Sequence, residues 1–84
     1  MKNEFSNTID EEIEDFYKRI SKNVKFFRIN KGVTQLDLAL DIGIKSVAFY
    51  SNCENNKYNK HFNLEHLYKI AKALQINICD LISV

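Results

Sequence analysis

The stretch from Thr34 to Glu54, TQLDLALDIGIKSVAFYSNCE, leaves this chain the fewest ways to fold. Thr34 is a good helix N-cap, and Asp37 three residues on completes an acidic variant of the capping box. Leu36, Ala39 and Leu40 are apolar at helical spacing, and Ile42 closes the run. Gly43 then supplies the residue that takes a left-handed turn at no steric cost. Ser46 can cap a second helix, whose apolar positions Tyr50 and Cys53 are three apart. The stretch predicts two short helices, over 34–42 and 46–54, joined by a tight turn.

What surrounds this unit is more of the same. Eighty-four residues make one small domain, and 45% hydrophobic residues with only two Gly and no Pro suit a mostly helical fold. Before the central stretch, Ile9, Ile13, Phe16, Ile20, Val24 and Phe27 recur at intervals of three and four. With a capping box at Thr8 and Glu11, they predict one long first helix over 8–31, ended by Gly32 and preceded by a flexible tail over 1–7. After it, Asn63 caps a fourth helix with an apolar face of Leu64, Leu67, Ile70, Ala71 and Leu74, and Phe62 can staple onto Leu67. Asn77 caps a short fifth helix carrying Ile78, Leu81 and Ile82. The expectation is an all-α domain of five helices over 8–84.

Several function classes drop out. No apolar run approaches the ~18–20 residues of a membrane span, and no signal-peptide pattern is present, so a cytoplasmic chain without a membrane partner is expected. Cys53 and Cys79 lack metal-ligand spacing and read as free thiols filling core positions. His61 and His66 have no matching carboxylate or thiol spacing, and no nucleophile–base pair or phosphate loop occurs. No metal, no cofactor and no enzyme activity are expected.

Charge is informative only when divided. Residues 1–15 carry one lysine against six acids, whereas residues 16–84 carry eleven Lys and Arg against five. A basic domain behind an acidic leader suits a nucleic-acid partner better than the total of +1 suggests. Lys45, Asn55, Lys57, Asn59 and Lys60 flank the second helix of the central unit and are natural phosphate contacts, with plain solvated surface as the competing reading. Tyr58 and His61 lie in the same loop.

The central unit resembles the Cro/phage-repressor (XRE-type) helix-turn-helix family, and the likeness covers about Ser21 to Ile82. The family's glutamine, leucine–alanine pair and turn glycine match Gln35, Leu38–Ala39 and Gly43; its arginine on the first helix and glutamate ending the third match Arg28 and Glu54. One departure matters: the interval from Gly43 to Glu54 is a residue longer than the family pattern. Keeping the family spacing would bury Asn52 without a partner, whereas one extra residue in the turn buries Tyr50 and Cys53 and keeps Glu54 in register. The second register is the one adopted.

The resemblance implies a five-helix, lambda-repressor-like domain with an N-terminally extended first helix, and a regulator binding double-stranded DNA as a homodimer on a palindromic operator. Helix 46–54 would enter the major groove, with Val47, Ala48, Phe49 and Asn52 reading bases and Gln35 contacting phosphate at the start of the preceding helix. Arg28 and Glu54 would form a structural ion pair. Two alternatives stay open. Phe49 can equally pack on a neighbouring helix, and an exposed Val-Ala-Phe also suits a protein partner, as in an antitoxin or an adaptor. The early stripe of Ile9, Ile13 and Phe16 can fold back on its own domain or, with the C-terminal apolar residues as a rival surface, form a dimer contact.

Overall fold

Helix α1 (Lys2–Asn30) is the spine of the molecule. A computed structural model describes residues 2–83, with side chains from Ile9 onward. At 1.5 Å per residue, α1 spans about 43 Å, nearly the whole 46 Å long axis of the molecule. It begins six residues before the predicted start, because no Gly or Pro precedes Gly32 to stop a helix. Thr8 therefore lies within α1 rather than at its cap, and its side chain falls outside the described residues. The tail expected over 1–7 falls where only helical backbone, from Lys2, is described.

Four further helices follow: α2 (Gln35–Asp41), α3 (Val47–Asn55), α4 (Leu64–Leu74) and α5 (Ile78–Ile82). No strand occurs among the described residues, and the fold is the all-helical, five-helix domain expected. Each junction has a local cause. Gly32 at φ +73° ends α1, and the Val33 N–H donates to the Arg28 carbonyl across it. Gly43 at φ +83° ends α2 in the same way, with the Ile44 N–H donating to Ala39. Ser46 and Thr34 cap α3 and α2, accepting from the N–H groups of Phe49 and Asp37. Asn63 and His66 form a reciprocal box at the start of α4.

The core is one cluster. Ile20 and Val24 of α1 meet Leu38, Ala39 and Ile42 of α2, Tyr50 and Cys53 of α3, Ile70 and Leu74 of α4, and Leu81 of α5. Phe62 and Leu67, the expected staple, are both buried. Tyr50 and Cys53 face inward, which is the burial pattern of the longer turn. Two polar ties fix α1 to its neighbours: the Ser21 hydroxyl donates to the Cys53 carbonyl at 2.9 Å, and the Asn23 amide donates to the carbonyls of Leu81 and Ser83.

Three expectations need correction. Leu36 and Leu40 are 52% and 61% exposed, because α2 turns Leu38, Ala39 and Ile42 inward and those two lie on its other side. Leu64 is exposed at the first turn of α4, ahead of the turns that meet the core. Cys79 is exposed, not a core thiol, since α5 turns Leu81 inward. At the front of the α1 stripe, where folding back and a dimer contact both stand open, Ile13 is 46% and Phe16 36% exposed, so the domain leaves them uncovered.

Candidate nucleic-acid interface

The geometry of α3 is set from behind by Glu54. Its carboxylate is buried and accepts four hydrogen bonds. The Arg28 guanidinium supplies two, from Nε to Oε2 at 2.9 Å and from Nη2 to Oε1 at 3.0 Å. The Tyr50 hydroxyl donates to Oε2 at 2.8 Å, and the Gln35 amide donates to Oε1 at 2.9 Å. A carboxylate has about four lone-pair sites, so this one is saturated. Arg28 uses its remaining Nη1 on the Val33 carbonyl at 2.8 Å. One residue from each of α1 and α2 and two from α3 thus share a single charge-assisted network.

The electrostatics follow from those bonds. Burial acts to raise the Glu54 pKa, but the hydrogen bonds from Arg28, Gln35 and Tyr50 outweigh it and hold the carboxyl below its ordinary range. Its hydrogen bond to Glu54 raises the Arg28 pKa against the opposing effect of burial. Burial, reinforced by the neighbouring carboxylate, pushes the Tyr50 hydroxyl well above its ordinary value, so it stays a donor. Burial likewise raises the Cys53 thiol.

On the outer side of α3, Val47 and Ala48 are exposed, and Phe49 and Asn52 are half-buried. Phe49 packs against the core with its ring edge-on to His66 of α4, the centroids 6.4 Å apart, and so offers less surface than Val47. Among the described residues, no hydrogen bond engages the Asn52 side-chain amide. Asn55 is exposed, but its amide is tied to the Ser51 carbonyl one turn back at 2.9 Å.

Lys45 is exposed before α3, and Lys57, Asn59 and Lys60 are exposed after it. The chain leaves α3 through Asn56 in the left-handed conformation (φ 54°, ψ 39°), the position where asparagine stands in for glycine. Tyr58 and Asn59 are also left-handed, at φ 54° and 60°, and the Lys60 N–H closes the turn on the Lys57 carbonyl at 2.9 Å. Two consecutive residues of this hand make a tight turn of the I′ type, and a bulky left-handed Tyr58 is a strained residue held out in solvent. Between Gly43 and Asn63 the only acid is Glu54, which Arg28 neutralises in the interior, so the exposed charges of this end are lysines.

The service of Gln35 and Tyr50 to Glu54 lies outside what the sequence pattern predicts. Tyr50 is one helical turn before Glu54, a spacing that could have revealed it. Gln35 is nineteen residues away and carries no such signal. The phosphate contact that the family resemblance implies for Gln35 falls to one N–H of its amide, since the other is committed to Glu54.

No group of three or more His, Cys, Asp or Glu that could hold a metal occurs among the described residues. No helix among them is long and apolar enough to cross a membrane. A helix-turn-helix family model of the XRE type matches residues 24–81, from the second half of α1 to α5. No curated protein and no solved structure matches the chain. The family match, which covers well over half the chain and includes the whole α2–α3 unit, makes this protein a member of the XRE-type helix-turn-helix family of DNA-binding regulators.

Proposed function

We propose that the protein is a sequence-specific transcriptional regulator that binds a palindromic operator as a homodimer, with α3 in the major groove. The observation that carries this reading is the contrast between the two sides of α3. Its inner side is fixed by Tyr50, Cys53 and the saturated Glu54, while its outer side presents Val47, Ala48 and the amide of Asn52 between exposed lysines. A reading helix needs that division, because base contacts require a side chain held to within a fraction of an ångström.

In this reading Asn52 pairs with adenine, and Val47 and Ala48 contact thymine methyls, with Phe49 at the edge of the set. The operator half-site is therefore A/T-leaning. Lys45, Lys57 and Lys60 neutralise phosphates, joined by Asn55, Asn59 and the second N–H of Gln35. In the same reading Lys57, Asn59 and Lys60, on and beside the left-handed turn that follows α3, contact the DNA backbone.

Selection from random double-stranded DNA with the purified chain, followed by sequencing, tests this. The expected product is an inverted repeat whose half-sites are centred about one helical turn apart, roughly 10–10.5 bp. Absence of any enriched motif would contradict it. A second reading, a protein-binding module such as an antitoxin or adaptor, draws on the exposed apolar Val47, Leu36 and Leu40 of the same unit. Salt separates the two. On DNA, log affinity should fall with log salt by about 0.9 per phosphate neutralised, and Lys57→Ala or Lys60→Ala should each flatten that slope by about one contact. A partner bound equally well at low and high salt would favour the module.

A further inference from the structure

The first half of α1 carries an apolar face that no described residue covers. Ile13 and Phe16 are exposed, Ile9 is half-exposed, and Phe16 and Tyr17 continue the face into a cleft of about 330 Å³ floored by Ile20, Phe62 and Leu67. Tyr17 walls one side of it, its ring stacked on His61 at 3.7 Å. An apolar face beside an apolar cleft marks an interface, and the charges around it specify the occupant.

We propose that a second copy of this chain lies antiparallel along this face, with the two-fold axis passing near Phe16. The proposal rests on the homodimer reading above and names its interface. Three observations select an antiparallel copy. Glu12 and Arg19 lie on the same flank of the stripe, seven residues apart, which is two helical turns or about 10 Å. They are too distant to pair within one helix, but in an antiparallel pair Arg19 of each copy meets Glu12 of the other, making the contact twice, as a two-fold interface requires.

The second observation is Arg19 itself. Its Nε is buried yet has no hydrogen-bond partner, and its guanidinium lies 5.3 Å from the centroid of the Phe16 ring, at the edge of the face. The Nε itself is covered, so a second copy answers the charge: a carboxylate arriving at this edge pairs with the guanidinium, which no acid among the described residues does in the single chain. The third is the division of charge along α1. Asp10, Glu11, Glu12, Glu14 and Asp15 precede Lys18, Arg19, Lys22 and Lys25. A parallel pair sets acid against acid, whereas an antiparallel pair sets acids against bases over the whole contact. It also brings Ile13 of one copy onto Phe16 of the other and Ile9 to the mouth of the cleft beside Ile20.

Charge exchange in the intact chain tests this by sedimentation velocity. Glu12→Arg and Arg19→Glu should each abolish the dimer at concentrations where the unaltered chain is dimeric, and the double variant should restore it. Only residues that meet across copies rescue one another. A dimer that survives both single exchanges, or a double variant that stays monomeric, would overturn the proposal. So would an unaltered chain that is monomeric with and without DNA.

Crosslinking gives an arm that does not depend on charge. Phe16→Cys combined with Cys79→Ser should form an intermolecular disulfide rapidly under mild oxidation, since Cys53 is buried; persistence of monomer would count against an axis at Phe16. DNA binding by the same samples keeps this interface and the functional reading apart. Sequence-specific binding by a chain that dimerises elsewhere removes this interface alone. A dimer rescued by charge exchange that selects no DNA removes the functional reading alone.

Discussion

The two halves of α1 invert the usual rule for what a small domain buries. Around Arg28 the helix carries a full charge into the interior, and every acceptor site of its partner Glu54 is answered. Around Ile13 and Phe16 the same helix carries apolar side chains out into solvent. The difference shows which groups serve the fold and which are left for something else. A buried ion pair contributes little net stability over apolar packing, but it is intolerant of losing one member. An exposed apolar stripe contributes nothing to the single chain that bears it. The Arg28 end is therefore tied to the geometry of α3, and the Ile13 end is free to be spent on another molecule.

The largest effect that would sharpen this contrast is Arg28→Ala, which leaves the Glu54 carboxylate buried without its cation. A loss of about 3–5 kcal/mol is expected in urea or thermal unfolding. The pH dependence should change sign with it. In the native chain the folded-state pKa of Glu54 is held below its unfolded value, so its contribution is complete above about pH 4.3 and is lost as pH falls through the folded value. Without Arg28, burial acts less opposed and raises that pKa. Lowering the pH then protonates Glu54 in the folded state and recovers part of the lost stability, visible as a smaller gap between variant and native chain at pH 4 than at pH 7.

A smaller loss is expected at Cys53, where α3 meets the core. Cys53→Ser puts a hydroxyl into an apolar site and should cost about 1–3 kcal/mol, with DNA binding reduced only as a consequence. Thiol labelling of the native chain should be fast at exposed Cys79 and slow at Cys53, whose thiol is both covered and held protonated by burial. Fast labelling of both would put Cys53 outside the core. The smallest effect belongs to the front of α1. Ile13→Ser, measured where the chain is monomeric, should change stability by no more than about 0.5 kcal/mol. A loss comparable to that at Cys53 would mean the stripe is part of the fold after all, and the contrast would fail.

How far the residues alone could go depends on whether a decision was local. The junctions were legible because Thr34, Gly43, Ser46, Asn63 and Asn77 each act on their own neighbours. The register of α3 was legible because its alternative buried an unpartnered amide at Asn52. The inward face of α2 was not: apolar residues at 36, 38, 39, 40 and 42 surround a seven-residue helix, and no periodicity can choose among them. Leu38 wins through packing against the other helices. Gln35 donates to Glu54 across nineteen residues, a tertiary contact without local signature. The start of α1 was misplaced because a good cap marks where a helix can begin, and nothing before Thr8 obliges it to begin there.

The reading helix itself is tested most directly by one substitution followed through two readouts. With α3 in the major groove, Asn52→Ala should leave the melting temperature nearly unchanged, as changes outside the core do. Repeating the selection from random DNA with this variant should then relax preference at one position of each half-site by about 1–3 kcal/mol, the worth of a bidentate base contact. An unchanged base preference at every position, with the fold intact, would contradict α3 as the reading helix.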